Sequence, residues 1–302
     1  MTRRQALAAG AALLAGEARA ETQIVWAKEW KIVEGDTGKE IRSRDLPKRL
    51  AASDVVFAGE QHDDPETHRG ELALLATLHK SLGDRLTLAM EMFERDHQAP
   101  LTDYVSGRID EAAFTKAVRL WKNYPSDYRP MIEFARENRI PVIASNAPQS
   151  IVRRVSREGL SALAALSAEE RTQIAAYVNA PEGDEYARRF AAVMGAGHGD
   201  GGGMEPAMVR RFLEAQCLRD DTMAESIVRE LDRGRTVLHI NGSFHSDAGL
   251  GTAARVAWRR PLTARSSVIK FVPFREKIAP ESIKGEAHVG IFVPDRRPPT
   301  TR

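Results

Sequence analysis

Two histidines and two glutamates stand out by what surrounds them. His62 closes Gly59-Glu-Gln-His62 and His245 closes Gly242-Ser-Phe-His245, and each motif follows a run of β-forming residues, 54–58 and 236–241. A short apolar run closed by a turn signal reads as a buried strand. Glycine at its end lets the backbone turn sharply and a ligand approach closely. Ligands of open α/β sheets lie outside the carboxyl ends of the strands, so the pattern predicts that His62 and His245 face one crevice. Glu60 lies within the first motif, and Glu91 lies in another apolar run, 85–92. A carboxylate there is costly to bury unless it is paired or binds a metal. Imidazole nitrogen with carboxylate oxygen suits zinc, iron or manganese, with His62, Glu91 and His245 as ligands. Glu60, His62, Glu91 and His245 serve equally as a metal-free acid–base set in which a carboxylate orients a histidine. The plain alternative is a pair of histidines satisfied by hydrogen bonds at strand ends.

The elements that must position these groups alternate between strand and helix. Short strands are expected at 23–26 and 31–33, a helix at 46–52, and core strands at 54–58, 85–92, 140–144 and 236–241. After Gly59-Glu-Gln-His62, Asp64 suits an N-cap, Pro65 the first helical position and Glu66 the first turn of a helix to about Leu82. Helical stretches follow near 98–106, 111–121 and 131–138, and residues 149–232 read as almost wholly helical. The chain closes with a helix at 252–258, a strand at 266–271 and a last edge strand at 289–293. A strand–helix–strand unit of this length implies a right-handed parallel crossover. The fold class is therefore α/β: a mostly parallel central sheet flanked by helices, with a large helical insertion. No internal repeat and no Pro- or Ser-rich linker divides it. One domain over 21–295, with helical excursions at about 95–139 and 149–232 and a polar tail at 296–302, is the economical organisation.

The 302 residues carry 44 basic and 42 acidic side chains, mixed along the chain. With no basic block, nucleic-acid binding has little support. At the start, Thr2-Arg-Arg-Gln5, the apolar stretch 6–16 and Ala18-Arg-Ala20 form a signal peptide, residues 1–20, removed on export by the Tat or Sec route. The apolar part is too short for a transmembrane anchor. Cys217, in a helical pattern, is the single cysteine; it reads as a buried residue, and no lipid-acceptor cysteine lies near the cleavage site.

Other side chains carry weaker signals. His68 either faces the crevice or lies on a solvated helix face. His239 reads as a satisfied core residue, and His198 sits in the glycine-rich stretch 195–203, read as a mobile loop. Trp121, Tyr124, Tyr128 and Arg129 form either a flat platform for haem, with a tyrosine as axial ligand and Arg129 on a propionate, or the packing of a helix–helix corner.

Taken in order, 55–64, Glu91-Met-Phe-Glu94, Tyr128-Arg-Pro130, 140–148, Val152-Arg-Arg-Val155, Glu214-Ala-Gln216, Asp221-Thr-Met-Ala224 and Gly242-Ser-Phe-His245 are specific where each alone is not. On these segments the chain resembles the ChaN family of haem-binding uptake proteins, within the wider Tiki/TraB and erythromycin-esterase-like group. The resemblance implies a periplasmic or secreted haem-binding protein of iron uptake. It also implies tyrosine ligation, for which Tyr124 and Tyr128 are the candidates, and a homodimer sharing stacked haems. The wider group also implies a hydrolase, metal-dependent or metal-free, built on paired Gly-x-x-His and a glutamate; here these are His62, His245 and Glu91.

Overall fold

The computed structural model describes residues 24, 26–196, 204–261 and 264–297. The expected signal peptide, His198 with most of the glycine-rich stretch, and the end of the polar tail lie outside these residues. Seven strands form one sheet: β1 (Lys31–Glu34), β2 (Val55–Glu60), β3 (Leu86–Glu94), β4 (Val142–Asn146), β5 (Thr236–Gly242), β6 (Ser266–Phe274) and β7 (Val289–Pro294), in the order β1-β7-β6-β2-β5-β3-β4. Every neighbouring pair is parallel except β1 with β7. The expected α/β class holds.

The helices are α1 (Leu46–Leu50), α2 (Pro65–Leu82), α3 (Gln98–Val105), α4 (Glu111–Ala117), α5 (Arg129–Glu137), α6 (Gln149–Glu158), α7 (Ala168–Thr172), α8 (Glu185–Ala196), α9 (Pro206–Asp232) and α10 (Gly251–Arg259). α2 starts as its sequence demands: Asp64 accepts from the Glu66 amide at 3.1 Å, and Pro65 needs no donor partner. Side chains alternate across β2 and cover both faces of the sheet. Val56 and Ala58 pack with Leu74, Leu75 and Leu78 of α2 in one core, while Val55 and Phe57 pack with Ile227 of α9 and Val256 of α10 in another. Among the described residues no helix is long and apolar enough to cross a membrane.

Three expectations need correction. The strand at 289–293 is not at an edge: β7 lies between β6 and β1, and β1 and β4 are the edges. The strand at 23–26 does not form at its described residues, because Ile24 and Trp26 pack as anchors on the core, Trp26 donating to Thr77 at 3.0 Å. The helix expected over 111–121 stops at Ala117, and a π-helical turn, Tyr124–Tyr128, precedes α5.

Candidate functional site

Register explains why two distant motifs meet. β2 and β5 are parallel neighbours with Glu60 opposite Gly242, so both chains leave the sheet at the same level. His62 lies just past β2, and His245 ends the 3₁₀ turn Ser243–His245 that follows β5. β3 flanks β5 on the other side and supplies Glu91, and β4 brings Asn146 to the same carboxyl edge. A cavity of about 500 Å³ opens there, lined among others by Glu60, His62, Glu91, Trp121, Arg219 and His245. That volume falls within the range of small-molecule sites.

On one wall, His62 Nδ1 lies 2.5 Å from Glu60 Oε1, which also accepts from the Tyr128 hydroxyl at 2.7 Å. Burial and the adjacent Glu71 push the Glu60 carboxyl up to about 8. Burial alone would lower the His62 pKa, yet the hydrogen bond to Glu60 and the charge of Glu91 raise it. Both shifts favour a proton held between Nδ1 and Oε1, and the His62 ring lines the cavity beside Gly242. Trp121 meets the His62 ring edge-on, with centroids 4.9 Å apart.

The other wall is a buried charge sandwich. His245 Nδ1 lies 2.7 Å from Asp220 Oδ1, and its Nε2 lies 3.3 Å from Glu91 Oε1. Burial would lower the imidazole pKa, but the two carboxylates reverse this and raise it to about 10. Burial likewise opposes ionisation of Glu91, and His245, with the Gly242 amide donating at 2.8 Å, holds the carboxyl well below its ordinary range. Asp220 is fixed further by the hydroxyls of Thr252 (2.8 Å) and Tyr186 (2.6 Å). At neutral pH the wall carries an imidazolium between two carboxylates.

All four of Glu60, His62, Glu91 and His245 thus reach one crevice. Tyr124, Tyr128 and Arg129 do not line it. Tyr124 packs against Phe93 and Phe114 with its buried hydroxyl unpartnered, and Tyr128 stands behind Glu60. Burial pushes both phenols well above their ordinary value. Arg129 pairs with Glu111 at the surface. Of that aromatic stretch, Trp121 reaches the cavity. His68 is not on a solvated face: it is 3% exposed and hydrogen-bonded to Glu71 at 2.9 Å. His239 is a core residue held by Ser145 and Asn241. Sequence reasoning missed Asp220, Glu71 and Arg219. Asp220 and Asp221 fall at buried positions of α9 beside Leu218 and Thr222, which two adjacent acids on a long helix do not announce.

Gly242 is fixed by proximity. A Cβ there would lie 2.7 Å from His62 Nε2 and 2.8 Å from its Cε1. The Gly242→Ala variant is expected to displace the half-exposed His62 ring outward. Its NMR-titrated pKa should then fall toward 6.5, with a loss of stability of about 1–3 kcal/mol. An unchanged His62 titration in a folded variant would contradict the close packing.

A strand-end crevice in a parallel sheet covered on both faces is the ligand position of open α/β proteins. Residues 46–256 match the family described as haem-binding uptake, Tiki superfamily, ChaN, and the chain belongs to that family. It is 26% identical over 263 residues to the chloroplastic protein RETICULATA-RELATED 5 of Arabidopsis thaliana, covering 82% of this chain and 34% of that protein. The chain therefore spans about a third of the length of that curated relative. Among solved structures, ChaN of Campylobacter jejuni, described with cofacial haem binding, superposes with a TM-score of 0.68 at 17% identity, over 87% of this chain and 96% of that one. An erythromycin esterase in an open conformation gives a TM-score of 0.46 at 10% identity, over 85% and 81%.

Proposed function

We propose that this chain is an exported haem-binding protein of haem and iron uptake, working as a homodimer. Membership of the ChaN family over residues 46–256 is the observation that carries this reading. The crevice has the donor chemistry a haem requires: an imidazole nitrogen, aromatic walls and a cation. His62, Trp121, Gly242, Phe244 and Arg219 line the cavity, so His62 would be the imidazole ligand, Trp121 and Phe244 the aromatic walls, and Arg219 the cation for a propionate. Tyr124 and Tyr128 are the alternative axial ligands, and either must first bring a buried phenol out. Export rests on the basic–apolar–Ala18-Arg-Ala20 segment.

A haem titration followed by visible absorbance tests this. A saturable, shifted Soret band at one haem per chain or fewer is expected, weakened at least about tenfold in affinity by His62→Ala. Retention of full affinity in His62→Ala with loss in Tyr124→Phe or Tyr128→Phe would move the ligand to that tyrosine. Absence of any specific band would overturn the reading.

The two carboxylate–imidazole pairs across the cavity favour a second reading, a hydrolase in which His62 and His245 activate water and orient the substrate, with or without a metal on His62, Glu91 and His245. Ester or peptide hydrolysis abolished by His62→Ala, with haem affinity unchanged, would select it.

A further inference from the structure

Behind the His62 wall lies a second cluster that shares Glu60 with that wall and adds His68 and Glu71, which neither haem binding nor hydrolysis uses. Glu60, His68 and Glu71 are each buried, and one donor atom from each lies within 4.8 Å of the others. His68 Nδ1 is 2.9 Å from Glu71 Oε2 and 3.5 Å from Glu60 Oε2. Two oxygens here, Glu60 Oε2 and Glu71 Oε1, are fully buried and meet no donor side chain or amide; the hydrogen bond open to them without an ion is a proton shared between the two carboxyls. An unpartnered buried carboxylate oxygen is costly, and two together more so.

The surrounding charge does not relieve them. Asp64 and Asp127 are also buried beside the cluster. Among the described residues no lysine or arginine pairs with Glu60, Glu71 or Asp127; their ion-pair partners are His62 and His68. Asp64 is relieved by the Glu66 amide, the Thr67 hydroxyl and the charge of Arg297, so three carboxyl groups, Glu60, Glu71 and Asp127, face at most two imidazoles. We propose that Glu60, His68 and Glu71 bind a divalent transition-metal ion, which braces Glu60 and through it the His62 imidazole.

The geometry suits such an ion. Donors about 2.1 Å from one metal lie no more than about 4.2 Å apart, which the cluster reaches with small side-chain adjustments. Two carboxylates and one imidazole select Mn²⁺, Fe²⁺ or Zn²⁺, whereas Ca²⁺ requires about six to eight oxygens. A ligating histidine characteristically donates its second ring N–H to a carbonyl or carboxylate. His68 Nε2 lies 3.3 Å from the His62 carbonyl and 3.6 Å from Asp127 Oδ2. The division of labour on Glu60 is also consistent: Oε1 holds His62 and Tyr128, leaving Oε2 for the ion.

A second triad, Glu94, Asp96 and His97, makes the contrast. Its Glu94 already pairs with Arg119 and accepts from the Gln149 amide, and Asp96 is exposed. Its carboxylates lack the unmet demand.

The test uses the full chain, stripped with EDTA, desalted, and titrated without haem. Mn²⁺ is followed by loss of its free-ion EPR signal and Co²⁺ by visible absorbance. One ion per chain is expected, with a rise in Tm on loading. Glu71→Gln should weaken the binding by more than about 100-fold, and Asp96→Asn should leave it unchanged. His68→Gln carries the same expectation, so either variant suffices if the other does not fold. Failure to bind one ion per chain, or binding unaltered in both folded variants, overturns the site. No haem enters the measurement, so its failure is distinct from failure of the haem reading.

Discussion

Asp220→Ala is expected to destabilise the protein by about 3–5 kcal/mol, because it removes one partner of a buried ion pair and leaves the other charge in place. Asp220 has no exposed surface and accepts from His245, Thr252 and Tyr186, with Arg255 3.9 Å away. Alanine strands two hydroxyls at once and leaves the imidazolium with Glu91 as its one remaining counterion. For a chain of this size that corresponds to a Tm lower by about 10 °C. The His245 pKa, held at about 10 by Glu91 and Asp220 against the effect of burial, should fall back toward 6.5. The Asp232→Ala variant is the control. That carboxylate pairs with Arg260 at the surface, its side chain 58% exposed, and its loss should cost under about 1 kcal/mol. Chemical denaturation of the two variants decides the matter. A loss below about 1 kcal/mol in Asp220→Ala would mean that the imidazole is held by packing and not by its counterions.

What the chain revealed beforehand follows from the range of the interactions involved. Local signals were legible: the β-forming run before Gly59, the Asp64–Pro65–Glu66 start of α2, and the heptad-like leucines behind it. The meeting of His62 with His245 was inferable only from a rule about strand ends. What makes it concrete is the Glu60–Gly242 register, a pairing across the fold that no local pattern specifies. His68 was ambiguous because helix periodicity does not say what the first turn of α2 faces; it faces a carboxylate, Glu71, one turn further on. The aromatic stretch misled for a structural reason. Spacing suggested a flat platform, but the π-helical turn sends Tyr124 into the Phe93–Phe114 core and Tyr128 onto Glu60, leaving Trp121 at the cavity. Asp220 was obscured by its neighbour Asp221, since two adjacent acids on a long helix read as a solvated face until α10 and α8 are seen packed against them.

Stability should fall as pH rises from about 5 to 9 in the metal-free chain held in chelator, by up to about 4 kcal/mol for each of the two raised carboxyls. Burial raises the carboxyls of Glu60 and Glu71 from near 4.5 to about 8, reinforced by the charge of Glu71 at Glu60 and by Asp127 and Asp64 at Glu71, against the hydrogen bond that Glu60 makes to Glu71. A group raised in the folded state binds its proton more tightly there than in the unfolded chain. Its contribution is therefore complete below about 4.5 and is lost as pH climbs through 8. His245 acts in the same direction over a higher window, complete below 6.5 and lost through about 10. Glu91 and Asp220 act oppositely: both are depressed, so their contribution is present above the ordinary carboxylate range and lost in acid. The optimum thus lies near pH 5. Glu71→Gln leaves one carboxyl in the pair and should flatten the limb between pH 5 and 8 while keeping the decline near 10, which belongs to His245. Denaturant midpoints across pH for the two proteins separate the contributions. A wild-type profile flat from pH 5 to 8 in chelator would mean that the pair ionises without cost, which its burial and its two unpartnered oxygens argue against.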